Sequence, residues 1–323
     1  MIVALAVLAV LYWWPGDSTL PGEIVTIWPP ELWAAVFAVI ASLVGLADRR
    51  SGMATLAAVL VFVLATSEWL PLMRSRTFDG DPAPPGSTRL RLVTWNVARS
   101  PDLAALEPLR PDVCLFQESA PVRGQAALSP HWSGFHWAGT LDPAVFSRYP
   151  LETVEMAGIG PWAPPQAVVL DLPSGVRILV VNVRLVLPGI VRKLASPGDA
   201  IDLRSAHAER ILQFRRLGEG VAARRASLGR IPAVVCGDFN TSARAASVRA
   251  LHPLADIWPR AGRGWGGTMG ADLPIARIDQ CWTSEGVVPL QAWVERGRGS
   301  DHRLLVADLL IGGPDSFQNE YER

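Results

Sequence analysis

The sequence predicts a helical membrane anchor followed by a domain of mixed α and β structure. Hydrophobic residues make up 50% of the 323 residues and charged residues only 19%, and the apolar excess lies in the first 73 residues. The stretch Thr77–Ser87 is rich in Pro and Gly, which is typical of a linker. From there to about residue 312, strand-like and helix-like segments alternate over a length that can fold as one domain.

Three apolar segments, at about 1–16, 31–48 and 52–73, are expected to cross the membrane. A spanning helix needs about 20 residues. The first segment is shorter, so a signal-peptide core is an alternative, although no Lys or Arg precedes it. The second and third segments flank Asp48-Arg49-Arg50, which is typical of a helical hairpin; buried core helices are the alternative.

The distribution of arginines around these segments bears on orientation. Arg49 and Arg50 favour a cytoplasmic hairpin turn, whereas Arg74 and Arg76 favour the opposite orientation. We expect a multi-pass protein of the cell membrane with its folded domain outside the cytoplasm. The expected order is the anchor over 1–74, a linker over 75–88, the domain over 89–312 and a polar tail over 313–323.

The charge balance bears on the choice of partner. The formal net charge is zero, so no global basic field attracts nucleic acid. A local patch stays open, because arginines cluster between residues 204 and 225 (Arg204, Arg210, Arg215, Arg216, Arg224 and Arg225). The three cysteines, Cys114, Cys236 and Cys281, fall in apolar runs without the spacing of a zinc site, and we expect buried thiols.

Polar residues gather where predicted strands end or begin. The apolar run that includes Val234 and Val235 ends in Gly237-Asp238-Phe239-Asn240, and on an extended backbone Asp238 and Asn240 point the same way. Open sheets place their sites at such strand ends. Each position alone has a structural alternative as a turn, a cap or a solvated group. The remaining members of the set are Trp95-Asn96, Gln117-Glu118, Ile278-Asp279 and Ser300-Asp301-His302.

This ordered set resembles the endonuclease/exonuclease/phosphatase family over about residues 88 to 312. The resemblance implies an α+β fold, a four-layer α/β/β/α sandwich of two packed mixed β-sheets, here preceded by about three transmembrane helices. It also implies a metal-dependent hydrolase that uses Mg²⁺, with Mn²⁺ as a substitute. Hard oxygen ligands and a positioned carboxylate suit such chemistry.

The resemblance also implies a role for each residue of the motifs. Glu118, Asn96 and Asp301 are the expected metal ligands. Asp238 is expected to position or deprotonate the attacking water, and Asn240 to donate to phosphoryl oxygens. His302 is expected to contact the phosphate and Asp279 to orient it, so that Asp238, Asn240, His302 and Asp279 form the catalytic set.

One position departs from the family pattern. Val183-Arg184-Leu185 stands where many members carry a His. Arg grips phosphate through two donors but cannot shuttle a proton. We therefore expect Arg184 to bind phosphate beside Asn240 and His302, with a surface or ion-paired Arg as the alternative. Without a general acid, a good leaving group such as the phosphate of a pyrophosphate is favoured.

These observations favour a membrane-anchored phosphoesterase acting on a lipid-linked phosphate or pyrophosphate. The expected partners are the lipid bilayer and a lipid-linked substrate, and the chain is expected to be a monomer. The loop Leu185–Leu194, which is apolar and ends in basic residues, fits headgroup contact or packing on its own domain. A membrane-tethered nuclease and a non-catalytic binding or scaffold domain remain the alternatives.

Overall fold

The computed structural model describes residues 1–14, 16–68, 70–74, 83–98, 102–120, 122, 132–139, 142–160 and 164–312. It divides into two compact units. The helical unit comprises Met1–Trp69, Leu187–Ile211 and Thr241–Arg249, and the sheet unit comprises the rest of the chain. Most of the predicted linker (75–82) and the predicted tail (313–323) lie outside the described residues.

The helical unit contains two helices that are long and apolar enough to cross a bilayer, α3 and α4. The expectation of three spans is wrong for the first segment, since α1 has only 12 residues. The third span ends at Thr66 rather than at 73, because Ser67 turns to an extended conformation and Leu70–Met73 forms a separate 3₁₀ turn. The helices that lie in this unit are α1 (Ile2–Trp13), α2 (Leu20–Thr26), α3 (Pro30–Ala47), α4 (Arg49–Thr66), α5 (Gly189–Ala195) and the start of α6 (Leu203–Ser227).

In the hairpin of α3 and α4, the two helices pack closely and many apolar side chains on their outer faces are exposed. Gly45 and Gly52 sit at the crossing, where a Cβ on Gly52 would lie 2.5 Å from the Gly45 Cα; small residues allow such close approach. The Asp48 carboxylate accepts from the backbone N–H of Arg50 and Ser51 and so caps α4. The outer side chains are largely exposed, with Leu46 86% accessible. Exposed apolar surfaces of this size mark sites of contact with a membrane or another protein.

Charged and polar contacts join α2 and its flanks to the later parts of the same unit. Asp17 accepts from the backbone N–H and the hydroxyl of Ser247, at 2.8 and 2.5 Å. Glu23, 3% exposed, contacts His207 Nδ1 at 2.5 Å and Arg210 Nε at 3.4 Å. A buried carboxylate needs such partners to remain ionised. These contacts fix the segment around α2 on the two later segments of the helical unit, 187–211 and 241–249.

The sheet unit is built from two six-stranded mixed sheets. The first has the order β11-β12-β1-β2-β4-β3 and the second β5-β6-β7-β8-β10-β9. Among the strands that the structure describes, only the pairs β1–β2 and β7–β8 are parallel. The strands are β1 (Thr88–Asn96), β2 (Val113–Gln117), β3 (His136–Ala138), β4 (Ala144–Ser147), β5 (Leu151–Val154), β6 (Gln166–Asp171), β7 (Arg177–Arg184), β8 (Ala233–Asp238), β9 (Ala255–Asp256), β10 (Asp279–Thr283), β11 (Val287–Glu295) and β12 (Leu304–Ile311).

Alternating side chains place one core between the sheets and further apolar clusters outside them. Leu92 of β1 points inward with Val180 of β7 and Val234 of β8. The next residue, Val93, joins the outer cluster that the 3₁₀ turn Leu103–Leu109 covers. On the second sheet, Phe214 of α6 stacks on Phe239. The α/β sandwich predicted from the resemblance is confirmed. The sheet unit also contains a short helix, α7 (Trp258–Ala261).

A buried polar bridge crosses the core between the sheets. Asn182 of β7 donates to the carbonyls of Phe116 and Ala144 at 3.0 and 2.8 Å. Gln117 of β2 donates to Asn182 Oδ1 at 2.6 Å and to Thr94 Oγ1 at 3.0 Å. All of these groups are buried, so the bonds hold β2 and β7 in one relative position.

Two of the cysteines differ from the expectation of buried thiols. Cys236 of β8 and Cys281 of β10 are direct partners in the antiparallel register, and they form a disulfide. The strand register explains why these cysteines pair. Their separation of 45 positions in the sequence did not indicate it. Cys114 is a buried free thiol.

Gly237 allows a test of how closely the backbones of the paired strands β7 and β8 approach each other. Its φ is +145°, and a Cβ would lie 2.0 Å from the Val183 carbonyl oxygen. We expect Gly237→Ala to destabilise the protein by roughly 3 kcal/mol or more, lowering its unfolding temperature by several degrees. Gly158→Ala is the matched control, because nothing lies within 4 Å of that position. Equal unfolding temperatures for the two variants would contradict the described packing.

Candidate functional site

The predicted site residues meet at the ends of the central strands of the two sheets. Asn96 ends β1 and Glu118 directly follows β2; Arg184 and Asp238 end the parallel strands β7 and β8. Asp279 begins β10 directly opposite Asp238. His302 lies just before β12. Strands from both sheets therefore contribute to a single cluster of polar side chains.

Asp238 is the most connected of these side chains. Its Oδ2 accepts from Asn96 Nδ2 at 3.0 Å and from Asn240 Nδ2 at 3.2 Å, and its Oδ1 accepts from the Asn240 backbone N–H at 2.9 Å. Asn240 adopts a left-handed conformation, φ +50°, and also donates to the Leu185 carbonyl at 2.8 Å. The Asn240 amide therefore holds Asp238 in place. It would have to release one of these acceptors to contact a phosphoryl oxygen.

The environment of Asp238 prepares it to act as a base near neutral pH. Burial raises its pKa, the facing charge of Asp279 raises it further, and the result is about 6. The charge of His302 and the hydrogen bonds from Asn96 and Asn240 oppose the rise. A base whose pKa lies near the working pH is effective in proton transfer.

His302 is held as a cation. Its Nδ1 contacts Asp279 Oδ2 at 2.9 Å, which fits the orienting role predicted for Asp279. Burial lowers the pKa of His302, but the charge and hydrogen bond of Asp279 outweigh it, and the charges of Asp238 and Asp301 add to that effect, so the pKa is about 10. A cationic His beside a substrate position favours an anionic ligand.

Glu118 is fixed by a residue that the sequence did not single out, Asp142. Glu118 has φ +54°, an uncommon conformation for this residue type. Asp142 Oδ1 accepts from the Glu118 backbone N–H at 2.7 Å and Oδ2 accepts from Arg184 Nη1 at 2.9 Å. Arg184 Nη2 in turn contacts Glu118 Oε1 at 2.7 Å. No sequence motif marks Asp142, and only the fold brings it to Glu118.

Two of the three predicted metal ligands lie together. Asn96 Nδ2 donates to Glu118 Oε1 at 3.3 Å, and its Oδ1 accepts from the Ala98 N–H. Glu118 Oε2 receives no hydrogen bond from any residue that the structure describes, and the side chain is 34% exposed. An accessible carboxylate oxygen beside an amide matches the donors that Mg²⁺ prefers.

Asp301 is less closely integrated than the sequence suggested. Its residue is exposed, and within the described part of the chain no hydrogen bond or ion pair joins its carboxylate to Glu118 or Asn96. A second group of donor atoms, from Asp238, Asp279 and His302, lies within 4.8 Å of one another. Asp279 Oδ1 is buried and has no hydrogen-bond partner among the described residues, so this group offers one oxygen that could ligate a metal.

The backbone around His302 is held by hydroxyl groups that the sequence only partly indicated. Ser300 Oγ donates to the Asn96 carbonyl at 2.6 Å and accepts from the His302 N–H at 3.0 Å. Thr268 Oγ1 accepts from the Asp279 N–H at 3.0 Å. Ser300 belongs to the Ser-Asp-His motif, whereas no local signal marked Thr268.

The ion pair of His302 yields a direct titration test. Without added divalent cation, we expect the NMR-detected pKa of His302 to lie well above that of an ordinary imidazole, so that its charge persists through neutral pH and is lost toward pH 10. Asp279→Asn should lower this pKa strongly, because it removes the contacting charge. Asp301→Asn is the control and should lower it less. Equal shifts in the two variants would show that contact with Asp279 is not what sustains the charge.

Comparisons with known proteins agree with this geometry. The model of the Endonuclease/Exonuclease/phosphatase family matches residues 93–302, whereas no curated protein matches the chain. A family protein from Bacteroides thetaiotaomicron is similar in structure, with 17% identity, a TM-score of 0.51, and coverage of 70% of this chain and 96% of that one.

Two further solved structures show the same fold. The endonuclease/exonuclease/phosphatase from Beutenbergia cavernae has 22% identity and a TM-score of 0.50, over 70% of this chain and 72% of its own. Truncated Caenorhabditis elegans TDP2 has 17% identity and a TM-score of 0.51, over 68% of this chain and 97% of its own. At such identities these likenesses speak for the fold alone, while the family match spans most of the chain and includes Glu118, Asp238 and His302. The chain belongs to the endonuclease/exonuclease/phosphatase family.

Proposed function

We propose that this chain is a membrane-anchored, Mg²⁺-dependent phosphoesterase that hydrolyses a lipid-linked phosphate ester or pyrophosphate. The family supports a hydrolase acting on phosphoester bonds. The observation that carries the lipid substrate is the path of the chain beyond the site strands. After Arg184 it enters the helical unit at Leu187, and directly after Asn240 it enters that unit again at Thr241. The loops that leave β7 and β8 thus belong to the same unit as the two long apolar helices.

The proposed step uses groups already in contact. Water attacks the phosphorus as Asp238 takes its proton; the new O–P bond forms and the bond to the leaving group breaks, with the electron pair remaining on the leaving oxygen. Asn240 and Asn96 keep the Asp238 carboxylate oriented through the bonds described above. His302 supplies a fixed positive charge for the phosphoryl oxygens. Asp279 keeps that charge in place.

Glu118, with Asn96 beside it, would hold the divalent cation through the accessible carboxylate oxygen. A bound cation neutralises charge on phosphate oxygens. Asp301 remains a predicted third ligand. Because Glu118 Oε1 already accepts from Arg184 and Asn96, Oε2 is the oxygen through which Glu118 would hold a cation.

Arg184 is the reason why we expect a substrate with a good leaving group. It lies beside Glu118 and Asp142 as a permanent cation. It can therefore bind an anionic leaving group without donating a proton to it. A phosphate leaving from a pyrophosphate is such a group, so among lipid-linked substrates we rank pyrophosphates first.

Several features support a domain held outside the cytoplasm. Arg49 and Arg50 lie at the start of α4, at the closed end of the α3–α4 hairpin, which favours a cytoplasmic location for that end. Contacts of Asp17 and Glu23 with Ser247 and His207 keep the segment before α3 on the same side as those later residues. The Cys236–Cys281 disulfide fits an oxidising compartment.

The arginine cluster gives little support to the nuclease alternative. Three of its six members are engaged: Arg210 with Glu23, Arg225 with Glu285 and Arg224 with the Glu155 carbonyl. Arg210 and Arg225 are also buried. A phosphate backbone needs a continuous accessible stripe, and the engaged arginines interrupt it.

The proposal is tested by phosphate release from a polyprenyl pyrophosphate, using the full chain in detergent with Mg²⁺ and then with EDTA. We expect release that requires the cation and falls at least 100-fold in Asn240→Ala, because Asp238 loses both the side-chain contact and its orientation. Cleavage of plasmid DNA without pyrophosphate hydrolysis would favour the nuclease. Inactivity on both substrates would favour the scaffold domain.

Arg184 can be compared with an arginine at the other end of the same strand. Arg177 also pairs with two carboxylates and is similarly exposed, 43% against 37%. We expect Arg184→Ala to raise KM and to lower kcat/KM by roughly 10- to 100-fold, as for loss of a charged hydrogen bond. Arg177→Ala should leave the kinetics unchanged. If KM and kcat of Arg184→Ala equal those of the wild type, Arg184 does not bind the substrate.

A further inference from the structure

The sheet unit displays exposed apolar side chains in a single loop before β10. Trp265, Met269 and Leu273 are 44%, 37% and 74% exposed. Large apolar residues are normal on a surface when they are isolated. Three within nine positions of one loop mark a binding surface. We call residues 265–273 the apolar loop.

The apolar loop has a fixed shape. Backbone bonds run from the Met269 N–H to the Ala276 carbonyl and from the Ile275 N–H to the Met269 carbonyl, both at 2.9 Å. The Trp265 indole N–H donates to the Pro274 carbonyl at 2.8 Å, which brings the indole next to the residue that follows Leu273. These bonds hold the loop backbone and the Trp265 indole in place, which lowers the entropic cost of binding a partner.

The apolar loop is also attached directly to the site. Met269 forms an isolated β-bridge with His302, and the Gly270 N–H donates to the Asp301 carbonyl at 3.0 Å. The Arg303 N–H donates to the Thr268 carbonyl at 2.7 Å. The exposed apolar surface therefore begins one backbone bridge away from the histidine predicted to contact phosphate.

Two basic side chains contact this loop. Arg303 Nε donates to the Ala271 carbonyl at 2.9 Å. Arg296 is 65% exposed and pairs with Asp272, which is itself 85% exposed. Indole, aliphatic and guanidinium groups together match the boundary between an anionic headgroup and its hydrocarbon.

We propose that the apolar loop binds the hydrocarbon chain of an amphiphilic phosphate whose headgroup lies at His302. This inference rests on the proposed function and names the part of the protein that selects a lipid substrate. A hydrocarbon attached to a phosphate at His302 would lie within reach of Met269, whose backbone is bridged to His302. Leu273 and Trp265 are the further exposed apolar side chains of the same loop.

The test is a chain-length series of binding constants, because binding does not depend on turnover. Alkyl phosphates of two to ten carbons, below their micellar concentrations, are titrated calorimetrically into the full chain in lipid nanodiscs. We expect the affinity of the wild type to rise by roughly twofold or more per methylene over several methylenes. Leu273→Ser and Trp265→Ser should each lose about tenfold for the longest chain and leave the shortest unchanged.

Two control variants separate apolar contact from folding. Leu273→Met keeps an apolar side chain and should retain the chain-length dependence. Trp137→Ser removes another exposed indole of the sheet unit, on β3 (38% exposed), and should also retain it. Unfolding temperatures identify any variant that loses its structure. The comparison of Leu273→Met with Leu273→Ser then tests whether an apolar side chain at this position is needed for the chain-length dependence.

The outcomes distinguish this inference from the proposed function. Binding of alkyl phosphates with no dependence on chain length would overturn the role of the apolar loop and leave the phosphoesterase in place. The same result together with self-association that Leu273→Ser abolishes would assign the loop to contact between copies. Failure of the wild type to bind any alkyl phosphate would overturn both.

Discussion

The buried hydrogen bonds between Asn182 and Gln117 are the constraint on which the arrangement of the site depends. The two sheets contribute different parts of the site: Asn96 and Glu118 come from one, and Arg184, Asp238 and Asp279 from the other. An apolar core alone tolerates small slippage between sheets, because its contacts are not directional. The amide bonds fix one relative position of the sheets, and so the bond between Asn96 of one sheet and Asp238 of the other forms at 3.0 Å.

Electrostatics then divides the site into two functional halves. On one side, Asp238 and Asp279 face each other across β8 and β10, and the proximity of His302 allows both to be buried. On the other side, Glu118 and Asp142 share Arg184. Each half thus contains two carboxylates and one cation, and each is left with a net negative charge that suits a proton acceptor or a metal ligand.

The sequence was sufficient to predict the sheet domain and most members of the site, because strand ends with Asp, Asn, Glu and His carry a local signal. It was insufficient where the information is tertiary. Asp142 reaches Glu118 only through the pairing of β2 with β4, and Cys236 meets Cys281 only through the register of β8 with β10. The number of spans was also predicted wrongly: hydropathy identified apolar stretches, but the ends of α1 and α4 are set by local backbone geometry.

The buried carboxylate of Glu23 has a consequence for the order in which the protein is made. Glu23 leaves the ribosome long before His207 and Arg210 are synthesised, so its charge stays hydrated until nearly two thirds of the chain exists. The helical unit therefore cannot complete its packing early in synthesis. A nascent chain stopped before α6 would carry the apolar hairpin but would lack the partners of Glu23, so the final packing of this unit waits for α6.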